Sequence, residues 1–267
     1  MRETRSFRYS NAQFSHSLTS LTLRSPMPTI WHNGIVRKIE TIAPDVRTFQ
    51  VEVPELQSFD FQAGQFVTMD LPIGEKRLQR WRSYSIANPP SNSNRLELCI
   101  VNSSEGLGSK YLFDEIQEGA ILKFKGPDGG FVLSEKIEKD LVFICTGTGV
   151  APFRSMILDL KNSGKPHQNI HLIFGTREES GILYRDEFEA LARTIPGFRY
   201  DIVLSRQSNW AGWQGHVHQV YMEQYASPRQ DVAFYLCGWS SMIDEAVANL
   251  LLKLGYERGQ VHYELYG

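Results

Sequence analysis

The chain has 267 residues, a formal net charge of -2 and 42% hydrophobic residues, enough length and apolar content for two domains that each bury a core without staples. The near-neutral balance excludes a general nucleic-acid binder, which carries a strong basic excess. Cys99, Cys145 and Cys237 lie far apart, excluding a disulfide framework and any four-cysteine iron–sulfur or zinc site within the chain; the most apolar run, Leu141 to Cys145, is far too short to span a bilayer.

Residues 1–28 differ from the rest. Arg2, Arg5, Arg8 and Arg24 are offset only by Glu3, Ser and Thr are frequent, and no apolar core of signal-peptide length is present. The segment reads as a tail outside the chemistry. An organelle-import segment, or an upstream extension with initiation at Met27, has the same composition. A reducing, cytoplasmic compartment is the simplest reading of the cysteine usage.

From Trp31 the pattern is one of short strands: Ile35–Ile39, Val46–Val53, Phe66–Leu71, a stretch around Arg82, Leu96–Val101 and Ile121–Lys125. In the second, Phe49, Val51 and Val53 alternate with Gln50 and Glu52, the period-2 signature of a half-buried strand. Six such strands with turn residues between them predict a small antiparallel β-barrel over residues 29–135. Gly126 to Phe131 reads as a rigid turn ending that domain.

Within this region, Arg82-Ser-Tyr84-Ser85 places a cation and an aromatic ring on one strand face and two hydroxyls on the other. A planar, phosphate-bearing cofactor would use all three group types. Gly106-Leu-Gly108-Ser109-Lys110 reads as a turn opening a short helix, whose first backbone N–H groups and Lys110 suit a phosphate.

Beyond Ile137 strands alternate with helices, predicting an α/β domain with a parallel sheet over residues 136–267. The buried strand Leu141–Cys145 runs into Thr146-Gly147-Thr148-Gly149-Val-Ala-Pro152, and Phe153, Met156, Ile157 and Leu160 follow at helical spacing. Strand, glycine turn and helix start together suit a dinucleotide pyrophosphate. Later strands over 170–174, 200–204 and 232–236 end at Arg177, at Ser205-Arg206 and at Cys237-Gly238, the ends where ligands bind in open α/β sheets. Tyr184, Phe188, Leu191 and Ala192 predict an intervening helix. Ser241 to Asp244 reads as a capping box opening a final helix that ends at Gly255, and Val261 to Gly267 as a last strand.

Arg82-x-Tyr84-Ser85, Gly106-x-x-Ser109-x-x-Leu112, Gly126-Pro-x-Gly129, Gly147-Thr-Gly149-x-x-Pro152 and Cys237-Gly238-x-x-x-Met242, in this order, resemble the ferredoxin–NADP reductase-like flavoprotein family over residues 30–267. The resemblance implies a flavin-binding barrel followed by a nicotinamide-nucleotide domain, with FAD favoured over FMN. It implies that Tyr84 packs on the flavin ring, that Ser85 lies near its N5 edge, and that Arg82, with Gly108, Ser109 and Lys110, holds phosphate. Thr146 to Pro152, Cys237 and Gly238 are implied near the nicotinamide and its ribose. Ser205 and Arg206, supported by Arg177, resemble a 2′-phosphate clamp, favouring NADPH with NADH possible, although an arginine that some NADPH users carry near Gly215 is absent. Tyr266 is a candidate shield for the flavin face and Glu264 a candidate proton-handling group. Ser85, Cys237 and Glu264 are thus the expected catalytic residues.

The expected activity is that of a flavin-dependent NAD(P)H oxidoreductase. NADPH reduces FAD, which passes single electrons to a separate acceptor protein such as ferredoxin, flavodoxin or an oxygenase component. Lys76, Arg77, Arg80 and Arg82 cluster where they could steer an acidic partner. Reduction of free flavin or ferric chelates, and a relay subunit of a larger complex, are the alternatives; no nucleic-acid partner, membrane span or metal is expected.

Overall fold

The structure is a computed structural model that describes residues 30–265. The N-terminal tail and the candidate shield Tyr266 lie outside the described residues.

Six antiparallel strands form the first sheet: β1 (Trp31–Ala43), β2 (Val46–Glu52), β3 (Phe66–Asp70), β4 (Trp81–Ser85), β5 (Arg95–Val101) and β6 (Ile121–Asp128), ordered β4-β3-β6-β1-β2-β5. An Ile86–Leu98 bridge joins the outermost strands, so the sheet closes on itself. The curled sheet encloses one apolar core of Val36, Phe49, Val51, Val67, Met69, Leu98 and Phe124. The alternation of β2 places Phe49, Val51 and Val53 inward as expected.

The segment read as a terminal turn behaves differently. β6 continues through Gly126 and Pro127 to Asp128, which pairs with Phe66 across an irregularity in the β3 ladder. A turn-forming dipeptide is accommodated there as a strand irregularity rather than a chain reversal. Two short helices decorate the barrel: α1 (Arg77–Arg80), just before β4, and α2 (Leu107–Asp114), after β5.

The second sheet is parallel: β7 (Asp140–Thr146), β8 (Ile170–Thr176), β9 (Phe198–Leu204), β10 (Trp213–Gln214), β11 (Val232–Gly238) and β12 (Val261–Leu265), in the order β10-β9-β8-β7-β11-β12. Successive side chains of β7 point to opposite faces and both faces are covered, so the whole run Leu141–Cys145 is buried. On one face Phe143 packs with Phe153, Met156, Ile157 and Leu160 of α3 (Val150–Ser163) and with α4 (Arg185–Thr194). On the other, Val142 and Ile144 pack with α5 (Val217–Gln224) and α6 (Ser240–Ala248). Each fully buried side chain of the α3 stripe contributes roughly 1.5–3 kcal/mol, far more than any cap at its ends.

Two helix starts depart from expectation. Tyr184 precedes α4 instead of lying in it, with left-handed dihedrals of φ 53° and ψ 32°. Ser241 lies inside α6, where Trp239 occupies the cap position. The final helix widens in its last turn, where the Leu254 N–H bonds to the Asn249 carbonyl at 2.9 Å, and Gly255 follows with φ 76°.

Strand order reverses between β7 and β11, because the chain builds outward from β7 through β8 and β9, then crosses back to β11 and β12. Such a reversal opens a crevice at the carboxyl ends of the two strands, which here are Thr146 and Cys237-Gly238.

Candidate active site between the two domains

On the barrel side the site is built by the edge strand β4. Arg82 leans over the start of α2: a Cβ added to Gly108 would sit 2.8 Å from Arg82 Cγ and 3.3 Å from its Nε. One Nη of Arg82 donates to the carbonyls of Trp81 (2.7 Å) and Leu78 (3.4 Å), fixing the side chain in that position. A guanidinium and the first N–H groups of a helix, which lack intrahelical acceptors, therefore share one spot, the donor set a pyrophosphate requires. Ser109 sits in the first turn of α2. Its hydroxyl donates to the Gly106 carbonyl at 3.0 Å and accepts from the Ser103 N–H at 3.0 Å, tying down its own turn; only its backbone remains for a ligand. Lys110 is exposed and ion-paired to Asp114 at 2.5 Å.

Tyr84 is half-buried against the barrel core, and burial pushes its phenol up to about 12 despite the opposing charge of Arg82. The ring is thus a neutral, apolar surface at any physiological pH. Ser85 is buried, and its hydroxyl donates to Glu264 Oε2 at 3.3 Å. Glu264 sits on β12 beside Cys237 in the parallel ladder. Burial pushes its carboxyl up to about 7, with the Ser85 hydrogen bond pulling the other way. A carboxyl that titrates near neutrality, one hydrogen bond from a serine on the edge strand, can store and return a proton.

On the parallel-sheet side the groups are mostly backbone. Gly147–Gly149 forms one tight helical turn between Thr146 and α3, with Pro152 buried in the first turn of α3. A Cβ on Gly149 would lie 2.4 Å from the Cys237 carbonyl oxygen, so only glycine lets the turn approach β11 this closely. Thr146 Oγ1 accepts from the Trp239 N–H at 3.1 Å, which ties the two strand ends of the crevice together. Thr148 and Gly238 complete this rim. Cys237 is fully buried in the core cluster beside its register partner Cys145, with its carbonyl against Gly149. Trp239, which sequence reading passed over, is 67% exposed at the mouth of the crevice. A tryptophan immediately after Cys237-Gly238, at the end of a buried strand, was its available signal.

Arg177 and Arg206, at the ends of β8 and β9, are brought together by backbone bonds from Ser205 N–H to the Thr176 carbonyl (3.0 Å) and from Arg206 N–H to the Arg177 carbonyl (2.8 Å). Among the described residues neither guanidinium is ion-paired, whereas the neighbouring Glu179 is held by Arg185 at 2.6 Å. Of the four cations expected to steer a partner, two are committed elsewhere: Arg80 pairs with Asp70 at 2.8 Å, and Arg82 turns to backbone carbonyls. Arg77 lies over the Trp81 ring at 4.9 Å, where Lys125 also approaches, and Lys123 lies over Trp31.

With this geometry in place, residues 33–133 match the family of oxidoreductase FAD-binding domains and residues 143–248 that of oxidoreductase NAD-binding domains. Ferredoxin–NADP reductase B of Sorangium cellulosum is 36% identical over 85% of this chain and 94% of its own length. This chain belongs to the ferredoxin–NADP reductase-like family. It is an oxidoreductase that uses FAD and a nicotinamide nucleotide. The phenol hydroxylase P5 protein of Acinetobacter pittii is 29% identical over 88% of this chain, which spans 65% of that protein's length. Among solved structures, the Amycolatopsis cytochrome P450 reductase GcoB superposes with a TM-score of 0.79 at 26% identity, covering 91% of this chain and 72% of that one. A Neisseria gonorrhoeae ferredoxin–NADP reductase with bound FAD and NADP shares the fold, with a TM-score of 0.75 at 24% identity over 89% of this chain and 99% of that one. Among the described residues no helix is long and apolar enough to cross a membrane.

Proposed function

We propose that this protein takes electrons from NADPH and delivers them singly to a separate electron-carrier protein, a ferredoxin being favoured and a flavodoxin or oxygenase component being the same class of acceptor. The observation that carries this reading is the Ser85–Glu264 contact, which joins the flavin-binding edge strand to the strand beside the topological switch point at 3.3 Å. The assigned residues divide the work. Arg82 and the start of α2 bind the pyrophosphate of FAD, and Tyr84 supports the ring. When bound, FAD supplies the conversion of a two-electron donor into one-electron steps. Thr146 to Pro152 and Gly238 seat the nicotinamide end of the nucleotide, with Cys237 contributing its carbonyl and the packing beneath. Ser85 Oγ and Glu264 Oε2 hold the proton that accompanies transfer.

The preference for NADPH rests on Arg177 and Arg206, two cations without carboxylate partners among the described residues, brought together at the ends of β8 and β9 where a 2′-phosphate would lie. The similarity to a protein named ferredoxin–NADP reductase over nearly its full length supports both the nucleotide and the acceptor. For the acceptor, the exposed Lys76 and Arg77, with Lys123, the Trp31–Trp81 pair and the 85% exposed Leu78, form a cationic and apolar face suited to an acidic carrier.

Turnover with NADPH and a reduced-carrier readout tests the reading. Ferredoxin reduction should saturate with ferredoxin and slow steeply between about 50 and 200 mM salt, as an encounter steered by charge does. Turnover that proceeds with free flavin or ferric chelate and never saturates with any carrier protein would reject it.

A further inference from the structure

α3 begins at the nicotinamide turn, and one turn along it Arg154 reaches out of its own domain. Its side chain is 13% exposed. Nη1 donates across the interface to the Ala87 carbonyl (3.0 Å) and to Glu97 Oε1 (3.1 Å), both in the barrel domain. Nε and Nη2 donate to the two oxygens of Glu187 on α4. The guanidinium lies 4.3 Å from the centroid of the Tyr184 ring, and the Tyr184 hydroxyl donates to the same Glu97 oxygen at 3.1 Å. The neighbouring Ser155 hydroxyl donates to the Asn88 carbonyl at 2.7 Å, while Asn88 Oδ1 accepts from the Glu97 N–H at 2.7 Å.

Two features set this network apart from an ordinary interdomain ion pair. The barrel groups it grips, Ala87 and Asn88, directly follow Arg82-Ser-Tyr84-Ser85-Ile86, so the clamp acts on the segment that carries the flavin contacts. In addition, Tyr184 is the one non-glycine residue with positive φ among the described residues. A bulky residue held in that region is strained and persists only where its surroundings over-determine it. Here the strained backbone directs a ring under Arg154 and a hydroxyl onto Glu97.

We propose that Arg154, braced by Tyr184 and Glu97, is the positioning residue that sets the distance between the flavin and nicotinamide edges. It couples the last residues of the flavin strand to the helix that starts at the nicotinamide turn. Ser85–Glu264 pins the last residue of β4 to β12, and Arg154 with Ser155 pins the two residues beyond Ile86 to α3. The planar, bidentate guanidinium spans three partners in two domains, which a lysine ammonium cannot do. Without it, Glu97 and Glu187 face each other uncompensated and the strand loses its second anchor. This inference rests on the nicotinamide meeting the flavin at Ser85. Bleaching of the wild-type flavin by NADPH tests that reading separately, in the same experiment.

The test is anaerobic stopped-flow reduction of flavin-loaded wild type, Arg154→Lys, Arg154→Met and Tyr184→Phe across an NADPH series. Rates are expressed per bound flavin, with the long-wavelength charge-transfer absorbance of stacked nicotinamide and flavin recorded alongside. Because a misplacement of about 1 Å costs up to about 100-fold, both Arg154 variants should show a limiting rate ~10–100-fold lower and a weaker charge-transfer band, with the NADPH dissociation constant within about 2-fold of wild type. Tyr184→Phe should fall by a few-fold in the same rank order. Hydrogen exchange of the holoproteins should speed up at Glu97, whose N–H is held by Asn88. A wild-type limiting rate and band in Arg154→Lys and Tyr184→Phe would overturn the proposal. So would a loss in Arg154→Lys that appears wholly in the dissociation constant or in flavin retention. If Arg154→Met does not hold flavin, the Arg154→Lys and Tyr184→Phe pair decides.

Discussion

The two domains present their candidate ligand groups by opposite means. The barrel offers side chains: Arg82, Tyr84 and Ser85 project from one edge strand, and even Gly108 at the helix start abuts a flexible arginine side chain. The parallel-sheet domain offers backbone: a glycine turn pressed against the carbonyl of Cys237 at a switch point, with the cysteine thiol turned into the core. Side chains yield when crowded and backbone does not, so the two halves of one cleft should respond very differently to the same chemical insult.

Paired glycine substitutions give the sharpest break in that comparison. Gly149→Ala drives a methyl to 2.4 Å from backbone and should destabilise the fold by roughly 2–4 kcal/mol, with NADPH-driven flavin reduction falling by more than about 100-fold. Gly108→Ala meets only Arg82 side-chain atoms at 2.8 Å and should cost less than about 1 kcal/mol, with a modest loss of flavin affinity. Thermal unfolding and flavin titration of both variants provide the check. Equal effects would erase the distinction between the two halves.

The next largest effect concerns the nucleotide. Charge-assisted hydrogen bonds contribute about 1.5–3 kcal/mol, so Arg206→Ala should lower kcat/KM for NADPH by ~10–100-fold and leave that for NADH nearly unchanged. An equal loss with both nucleotides would mean that Arg206 supports the fold and reads no 2′-phosphate.

The smallest expected effect lies where the halves touch. Glu264 is raised to about 7 from the ordinary 4.5, so its charged form is disfavoured in the folded state. Stability from this group is complete below about pH 4.5 and lost as pH rises through 7. Glu264→Gln should therefore match wild type at low pH and exceed it by about 1–2 kcal/mol at pH 8, after discounting for partial solvent access. The same variant should flatten any inflection near pH 7 in the rate profile. Chemical denaturation at pH 4.5 and 8 measures the first effect, and a retained inflection would assign it to another group.

Sheet architecture was legible because periodicity carries it: alternation in β2, an unbroken buried run in β7, helical spacing in α3. Candidate site residues stand out in the sequence where the chemistry is local, as in Arg82-x-Tyr84-Ser85 or the Thr146 to Pro152 turn. What escaped was set by distant partners. Tyr184 fits the helical spacing of α4, yet its ring and hydroxyl belong to Arg154 and to Glu97, 87 residues away. Gly126-Pro127 has the composition of a turn, but pairing with β3 keeps it in a strand. Arg80 belongs by sequence to a cationic cluster, but Asp70, ten residues upstream, takes up its charge. Nothing in the Gly106 to Lys110 motif shows that the Ser109 hydroxyl closes its own loop, leaving the backbone for a ligand.

Anaerobic mixing of the flavin-loaded protein with NADPH and, in parallel, NADH bears most directly on the central claim that an edge strand and a switch point meet to bring two redox rings together. The account predicts a yellow protein whose absorbance bleaches rapidly with NADPH and more slowly with NADH. A preparation that refuses FAD, or one whose bound flavin keeps its colour with both nucleotides, would contradict it.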